Sequence, residues 1–162
     1  MREALFSVLG ERVAGARVLD LFAGSGALGI EALSRGAASA TFVDSAPAAL
    51  KALRANLAAV GAERSGDERS ARGRTEVRRQ DARRFVAGAS AAGREYDLAF
   101  LDPPYRLAGR LGGELSAILP AVLAPEGLVI AESDRREPLD LELPLLDERR
   151  YGDTLIRIHG SR

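Results

Sequence analysis

The sequence predicts an α/β domain with a mostly parallel seven-stranded sheet, helices on both faces and a C-terminal antiparallel hairpin. Short apolar runs of strand length alternate with segments whose apolar residues recur at helical spacing, the pattern of parallel strands joined by helical crossovers. The last two strand-like runs are separated by a turn around Gly152, a spacing typical of a hairpin. Five parallel strands and one hairpin account for the seven strands.

The strands are predicted from short runs that are bounded by turn residues. In chain order they are Arg17–Phe22, Ala40–Val43, Glu76–Arg79, Tyr96–Leu101, Gly127–Glu132, Leu145–Arg150 and Thr154–His159. In a parallel sheet of this kind, ligands bind outside the carboxyl ends of the strands, near the point where the strand order reverses. Functional residues are therefore expected directly after Phe22, Val43, Arg79 and Leu101.

The helices are predicted from apolar periodicity together with capping signals. They are Arg2–Val13, Ala27–Ser34, Pro47–Val60, Ala82–Ala89 and Glu114–Leu123. In the first, Leu5, Val8 and Leu9 lie at helical spacing. Gly36 favours the end of the second helix, and Ser45 is a candidate N-cap for the third.

Composition limits the classes of protein and of site. The 162 residues are the length of one compact domain, and 46% hydrophobic with 28% charged residues is typical of a globular chain. We expect residues 1–162 to form one domain and the protein to be a monomer. Cysteine is absent and His159 is the single histidine, which excludes disulfides and thiolate sites and argues against a Ser-His-Asp triad.

Charge and hydropathy bear on location and partners. No apolar run approaches the roughly 20 residues that span a bilayer, so we expect a cytoplasmic protein without a membrane partner. The chain has 23 basic and 23 acidic residues, which argues against nonspecific binding of phosphate backbones.

A glycine-rich loop follows the first predicted strand. Gly24, Gly26 and Gly29 satisfy G-x-G-x-x-G between a strand and a helix, and Asp44 lies 20 residues after Gly24. This arrangement is typical of a nucleotide-cofactor site, in which backbone amides face a phosphate and an acid binds the ribose hydroxyls. Glycines that serve only a tight turn are the alternative.

Asp20 favours a cationic cofactor over a dinucleotide. It lies four residues before Gly24, at the end of the first strand, where a carboxylate would repel the pyrophosphate of NAD. S-adenosylmethionine suits this carboxylate because it carries an ammonium and a sulfonium and no phosphate. We therefore expect S-adenosylmethionine as the cofactor, with Asp44 at its ribose, and NAD remains the alternative.

The tetrapeptide that ends the fourth strand predicts the reaction type. Pro103 and Pro104 remove two amide donors and leave carbonyl acceptors. Hydrogen bonds from an exocyclic base amine to the Asp102 carboxylate and the Pro103 carbonyl would favour a pyramidal nitrogen with an available lone pair. Tyr105 can stack on the base, and in-line positioning of the methyl group supplies much of the rate. A strand-ending turn is the alternative for the tetrapeptide alone.

These motifs resemble those of known enzymes. The segment from Asp20 to Gly26 resembles the glycine motif of class I, Rossmann-like methyltransferases, and its pairing with Asp102-Pro-Pro-Tyr resembles amino-directed N-methyltransferases. Nearly the whole chain is similar to the bacterial 16S rRNA guanine-N2 methyltransferase family of the RsmD type. The segments that carry this similarity are Arg2–Phe6, Phe22–Ala37, Asp102–Tyr105 and Tyr151–Thr154.

The resemblance implies methyl transfer from S-adenosylmethionine to the N2 amine of a guanine in 16S rRNA, within the small ribosomal subunit or an assembly intermediate of it. The implied catalytic residues are Asp102, Pro103, Pro104 and Tyr105. The implied cofactor-binding residues are Asp20, Phe22, Ala23, Gly24, Ser25, Gly26, Asp44, Asp81 and Ala82. In the resembled family an acid at the position of Asp81 accepts a hydrogen bond from the adenine amino group, and the backbone of the next residue touches the ring. Capping of the following helix is the alternative for Asp81.

Some features depart from the resembled family. Its members usually carry a basic segment before the first helix, whereas Met1 lies directly at that helix; either the natural start is further upstream or RNA is bound without the segment. Ala46 replaces a commonly acidic residue, which leaves Asp44 as the single candidate for the ribose. The polar segment Glu63–Thr75 is predicted to be a surface loop.

Contacts to RNA would have to come from local arginines. Residues 63–84 contain eight Arg and five acids, a net charge of +3, which favours either a phosphate contact or a solvated face. Arg106 and Arg110 follow Tyr105 and are better placed for phosphates near an extruded base. The alternatives to rRNA methylation are methylation of DNA adenine or of another nucleic-acid amine, a cofactor-binding protein without turnover, and an NAD-dependent oxidoreductase.

Overall fold

The computed structural model describes residues 1–61 and 74–161 and shows one seven-stranded mixed sheet. Its strands are β1 (Arg17–Leu21), β2 (Ser39–Asp44), β3 (Arg74–Arg79), β4 (Tyr96–Leu101), β5 (Leu123–Asp134), β6 (Leu145–Tyr151) and β7 (Thr154–Gly160). The order across the sheet is β3-β2-β1-β4-β5-β7-β6. Strands β1–β5 pair with one another in parallel, and β7 is antiparallel to both β5 and β6. The predicted parallel strands and terminal hairpin are confirmed.

The strand order reverses between β1 and β4. Strand β1 pairs with β2 on one side and with β4 on the other, so the connections after these strands leave in opposite directions. A crevice forms at the carboxyl ends of the strands at such a point. The motifs after β1 and β4 therefore lie beside each other, although about 80 residues separate them in the chain.

Helices cover both faces of the sheet. Within the described residues the α-helices are α1 (Arg2–Leu9), α2 (Ala27–Ser34), α3 (Pro47–Ala59), α4 (Ala82–Ala91) and α5 (Tyr105–Ile118). Side chains alternate between two apolar clusters: Val18 and Phe100 pack with α1–α3, whereas Leu19 and Leu101 pack with α4 and α5. All four are fully buried, and burial of such a side chain contributes about 1.5–3 kcal/mol. Packing on both faces fixes the strand ends that carry the motifs.

Helix α1 differs in detail from its predicted form. It ends at Leu9 and is followed by a short 3₁₀ helix, so the predicted extent to Val13 is too long. Val8 is exposed, and Phe6, which the prediction did not include, is buried with its ring centroid 5.9 Å from that of Phe100. The predicted periodicity was wrong at Val8 because the buried side of the helix is formed by Leu5, Phe6 and Leu9.

The fifth helix begins nine residues earlier than predicted. The sequence predicts Glu114–Leu123, whereas α5 starts at Tyr105 and ends at Ile118, and a 3₁₀ turn then leads into β5. Three glycines within the first nine residues of the helix made this part hard to predict, because glycine costs about 1 kcal/mol relative to alanine inside a helix. They are Gly109, Gly112 and Gly113.

Gly112 permits a close contact between α5 and the connection from β5 to β6. A Cβ atom at this position would overlap the backbone carbonyl of Asp140. Close by, Ser116 Oγ accepts the backbone N–H of Glu142 at 2.8 Å and donates to the Gly112 carbonyl at 2.5 Å. The connection therefore rests on the backbone of α5.

The predicted loop Glu63–Thr75 falls mostly on residues 62–73, which lie outside the described residues. Its last two residues, Arg74 and Thr75, belong to β3, so that strand begins two residues before its predicted start. Among the helices of residues 1–61 and 74–161, none is long and apolar enough to cross a membrane.

Candidate active site at the carboxyl ends of the strands

A cleft of about 1230 Å³ opens at the carboxyl ends of the parallel strands. Residues that follow β1, β2, β3 and β4 and residues at the end of β5 line it. Pockets for single small molecules usually measure roughly 300–1,000 Å³. The cleft therefore has room for a cofactor together with part of a second molecule.

Most of the predicted site residues line this cleft. They are Asp20, Phe22, Ala23, Gly24, Ser25, Asp44, Asp81, Ala82, Asp102, Pro103 and Pro104. Gly26 does not line it; a Cβ there would overlap the side chain of Leu53, so Gly26 allows close packing against α3. The backbone of Tyr105 begins α5, and its side chain lies outside the described part of the structure.

Asp20 is a buried carboxyl group that borders the cleft. The residue is only 3% exposed, and its Oδ2 accepts the backbone N–H of Gly29 at 3.1 Å. Burial raises the pKa of Asp20 to about 8, with a further contribution from the charges of Asp102 and Asp44. At neutral pH this carboxyl group is mostly protonated, and a cation beside it would favour its ionised form.

The glycine loop is held by close packing and by hydrogen bonds to β2. A Cβ at Gly29 would overlap the ring of Phe42, so only glycine allows α2 to approach the sheet at this level. The Ala23 N–H donates to the Val43 carbonyl at 3.0 Å. Phe22 has a positive φ of 58°, a conformation that costs a residue other than glycine about 1–3 kcal/mol.

Asp44 joins the glycine loop to the start of α3. Its Oδ2 accepts the Gly24 N–H and its Oδ1 accepts the Ala46 N–H, both at 2.9 Å. The predicted capping role of Ser45 is wrong: the N-cap is Ala46, and no side chain caps α3. Each carboxylate oxygen of Asp44 keeps a further lone pair with which it can accept a hydrogen bond from a hydroxyl group.

Asp81 is the N-cap of α4. Its Oδ1 accepts the backbone N–H groups of Arg83 at 3.0 Å and of Arg84 at 3.2 Å. Although burial acts in the opposite direction, these bonds and the Arg83 guanidinium lower the pKa of Asp81. The capping alternative is therefore confirmed, while the role in cofactor binding stays a prediction. Ala82, which follows it, is buried and borders the cleft.

The Asp102-Pro-Pro segment presents two acceptors. Asp102 is exposed in the cleft, yet the surrounding protein removes enough water from its carboxylate to raise its pKa. Among the described residues no donor reaches the Pro103 carbonyl, whereas the Pro104 carbonyl accepts the Leu107 N–H at 2.9 Å and so belongs to α5. The Asp102 carboxylate and the Pro103 carbonyl are the pair that can receive the two protons of an amine.

The structure adds residues that the sequence analysis missed. Glu132, at the end of β5, and Thr154, at the start of β7, both line the cleft. Glu132 ends the fifth predicted strand, so the rule used for the first four strands would have found it there. Thr154 carries no such signal, because only the pairing of β7 with β5 brings it to the cleft.

Arginines near the cleft differ in whether they are already paired. Arg83 forms ion pairs with Glu114 at 2.8 Å and with Asp81 at 3.4 Å. Arg2 and Arg110 also line the cleft, and neither has an ion pair with the rest of the described chain. Three of the eight arginines predicted as an RNA contact lie outside the described residues: Arg64, Arg69 and Arg72.

Comparison with known proteins identifies the family. The family model described as "conserved hypothetical protein 95" matches residues 1–160. The chain belongs to this family. YlbH of Bacillus subtilis, provisionally named an rRNA methyltransferase, is 33% identical over an alignment of 170 positions that covers 100% of this chain and 85% of YlbH. Ribosomal RNA small subunit methyltransferase D of Escherichia coli is 37% identical over 135 residues, which are 83% of this chain and 61% of that protein.

A solved structure of a family relative agrees with the fold. The structure of yhhF from Escherichia coli, provisionally named a methyltransferase, has a TM-score of 0.79 and 34% sequence identity. The match covers 98% of this chain and 83% of that chain. The resemblance to the RsmD-type family and the methyltransferase fold are both confirmed.

Proposed function

We propose that this protein transfers a methyl group from S-adenosylmethionine to the N2 amine of a guanine in the rRNA of the small ribosomal subunit. The observation that carries this proposal is the meeting of two motifs in one cleft: the buried Asp20 beneath the glycine loop, and Asp102-Pro103 at the end of β4. The names of the relatives support RNA as the substrate.

The cofactor half of the cleft suits a cation that carries a ribose and an adenine. Asp20 would be ionised by the ammonium and would then pair with it, while its bond to the Gly29 N–H fixes its direction. The spare lone pairs of Asp44 would accept the ribose hydroxyls, and Asp81 and Ala82 would meet the adenine. NAD is less well matched, because its anionic pyrophosphate would leave Asp20 protonated and could form no ion pair with it.

The catalytic half of the cleft activates and positions an amine. Once bound, S-adenosylmethionine supplies an electrophilic methyl group. The Asp102 carboxylate and the Pro103 carbonyl would accept hydrogen bonds from the two amine N–H groups, which would turn the nitrogen lone pair out of conjugation with the base ring. The methyl group would pass from the sulfonium to this nitrogen and leave a neutral thioether, and Asp102 or water would take the one amine proton that is then released. Tyr105 would hold the base by stacking on it.

The RNA would be bound by few charges rather than by a basic surface. The chain carries no net charge, and Arg2 and Arg110 in the cleft have no ion pair among the described residues. Arg106, one residue after Tyr105, is exposed. We propose that these guanidinium groups contact phosphates beside the target guanine and that the protein acts as a monomer on the subunit or on an assembly intermediate.

The proposal is tested by methyl transfer from radiolabelled S-adenosylmethionine. The acceptors are small subunits from a strain that lacks the family's enzyme, free 16S rRNA and duplex DNA, and mass spectrometry of nuclease digests identifies the labelled nucleotide. We expect N2-methylguanosine at one position of the rRNA. Absence of RNA labelling by a folded protein that binds S-adenosylmethionine would overturn the proposal, and labelled DNA adenine would support the alternative.

A pair of aspartate variants separates catalysis from folding. Asp102→Ala is expected to lose at least a hundredfold in kcat while it keeps its affinity for S-adenosylmethionine in calorimetry. Asp153→Ala, in the exposed turn between β6 and β7, is the control and is expected to keep wild-type activity. Wild-type activity in Asp102→Ala would contradict the assigned role.

A further inference from the structure

Glu132 lies beside Asp102 at the carboxyl ends of neighbouring strands. Strands β4 and β5 pair in parallel with Leu101 opposite Ala131, so the next residue of each strand is Asp102 and Glu132. Neighbouring strands are about 4.8 Å apart. Because side chains alternate along a strand, both residues belong to the sheet face that carries Phe100 and Ile130, and both line the cleft.

The described part of the structure provides no partner for the Glu132 carboxylate. It is half-buried, and it forms no hydrogen bond or ion pair with the described atoms of residues 1–61 and 74–161, among which the Tyr105 side chain is not included. Burial, followed by the negative charge of Asp102, raises the pKa of Glu132 to about 7. Burial of an unpaired carboxyl group beside another acid is unfavourable, so packing does not explain its presence. No group of three or more histidine, aspartate or glutamate side chains that could hold a metal ion occurs in the described parts of the chain.

A base that offers two adjacent donors would match two adjacent acceptors. On its Watson–Crick edge, guanine carries the N2 amine and, next to it, the N1–H. Adenine has an acceptor at N1, which would face a carboxylate unfavourably. Enzymes that act on extruded bases recognise them by hydrogen bonds to this edge.

We propose that Glu132 is a specificity-determining residue. Its carboxylate accepts a hydrogen bond from the N1–H of the target guanine, while Asp102 accepts a hydrogen bond from the N2 amine. This inference rests on the proposed function and adds to it the group that distinguishes guanine from other amine-bearing bases. One well-placed pair of this kind changes the discrimination between bases roughly ten- to hundredfold.

The test compares guanine with 2-aminopurine at the nucleotide that the methylation assay identifies. 2-Aminopurine keeps the amine at C2 but has an acceptor without a proton at N1. The wild-type protein is expected to prefer guanine roughly ten- to hundredfold in kcat/KM. In Glu132→Gln, the side-chain amide can donate to N1 of 2-aminopurine, so the ratio of the two kcat/KM values should fall at least tenfold. Glu137→Gln is the matched control at an exposed position outside the cleft and should keep the wild-type ratio.

A pH profile gives a second signature that a purely structural role would not produce. With S-adenosylmethionine saturating, kcat/KM for guanine RNA should rise as the pH passes through about 7, because the ionised carboxylate is the better acceptor. This limb of the profile should be absent from Glu132→Gln. Thermal melting and calorimetry with S-adenosylmethionine establish that the variant is folded.

The outcomes separate the two proposals. If the wild-type protein methylates guanine, and folded Glu132→Gln keeps the wild-type ratio, the role of Glu132 is overturned while the proposed function stands. Equal use of guanine and 2-aminopurine by the wild-type protein overturns that role even where the variant does not fold. Failure of the wild-type protein to methylate any guanine overturns the proposed function and this inference together.

Discussion

Replacement of Asp20 with Asn should remove one large pH dependence from the stability of the cofactor-free protein. The folded structure raises the pKa of this carboxyl group from 3.8 to about 8. The folded state therefore keeps the proton that the unfolded chain loses near pH 4. The stabilisation that the protonated Asp20 provides is fully present below about pH 4 and is lost as the pH rises through about 8. Asn has the same shape, can accept the Gly29 N–H and does not titrate.

The magnitude follows from the size of the shift. Between about pH 4 and 8, the free energy of unfolding decreases by about 1.4 kcal/mol per pH unit because of this one group. Between pH 5 and pH 7 the free energy of unfolding of the wild-type protein should therefore decrease by about 2–3 kcal/mol more than that of Asp20→Asn. Other carboxyl groups titrate in both proteins, so the difference between the two curves isolates Asp20.

Urea unfolding at pH 5, 6 and 7 without S-adenosylmethionine measures this difference. Calorimetry in buffers of different ionisation enthalpy provides the functional counterpart: at pH 7 the wild-type protein should release about one proton when it binds S-adenosylmethionine. Asp20→Asn should release none and should bind at least tenfold more weakly. Parallel stability curves for the two proteins, with equal proton release, would refute the reasoning. Asp153→Asn, at an exposed turn, is the control.

Three other variants test the rest of the cleft. Asp44→Ala should weaken binding of S-adenosylmethionine roughly 10- to 100-fold in calorimetry, because hydrogen bonds to a charged acceptor contribute about 1.5–3 kcal/mol; unchanged affinity would contradict its role at the ribose. Gly29→Ala forces a methyl group into the ring of Phe42 and should reduce the free energy of urea unfolding by about 1–3 kcal/mol, whereas a neutral effect would contradict the tight packing of α2. Arg110→Ala should reduce the slope of log affinity for 16S rRNA against log salt by about 1, and an unchanged slope would exclude a phosphate contact; Arg149→Ala, at a residue already paired with Asp147, is the control.

The parts of the site that the sequence predicted are those encoded by short segments. Asp20 lies one residue before the end of β1 and Asp102 directly follows β4, so the expectation that ligands bind at the carboxyl ends of the strands was enough to place both in one cleft. Their relative position follows from the order of a parallel sheet rather than from any one contact. The sequence could not decide between two roles for Asp81. The structure shows that it caps α4, and its contact with the adenine of the cofactor stays a prediction.

The parts that were missed depend on tertiary contacts. The first nine residues of α5 contain three glycines, and the stability of this part comes from packing of Ala108 and Leu111 in the apolar cluster against the sheet rather than from local propensity. The proximity of Glu132 to Asp102 depends on the register between two strands, and Thr154 reaches the cleft only through the hairpin. Ser45 was wrong as a cap because α3 begins at Pro47, so the N-cap position is Ala46 and Ser45 lies one residue too early.

The contact at Gly112 connects the segment between β5 and β6 to the helix that follows the Asp102-Pro-Pro segment. Since the backbone at Asp140 rests on α5, that helix cannot rotate or slide without displacing the connection between β5 and β6. Helix α5 begins at the residue that follows Pro104, so its axis sets the direction in which the Asp102-Pro-Pro segment leaves the sheet. A change in the length of the connection at residues 135–144 is therefore expected to shift the start of α5 and, with it, the Asp102-Pro-Pro segment that we propose positions the amine, while the glycine loop stays in place.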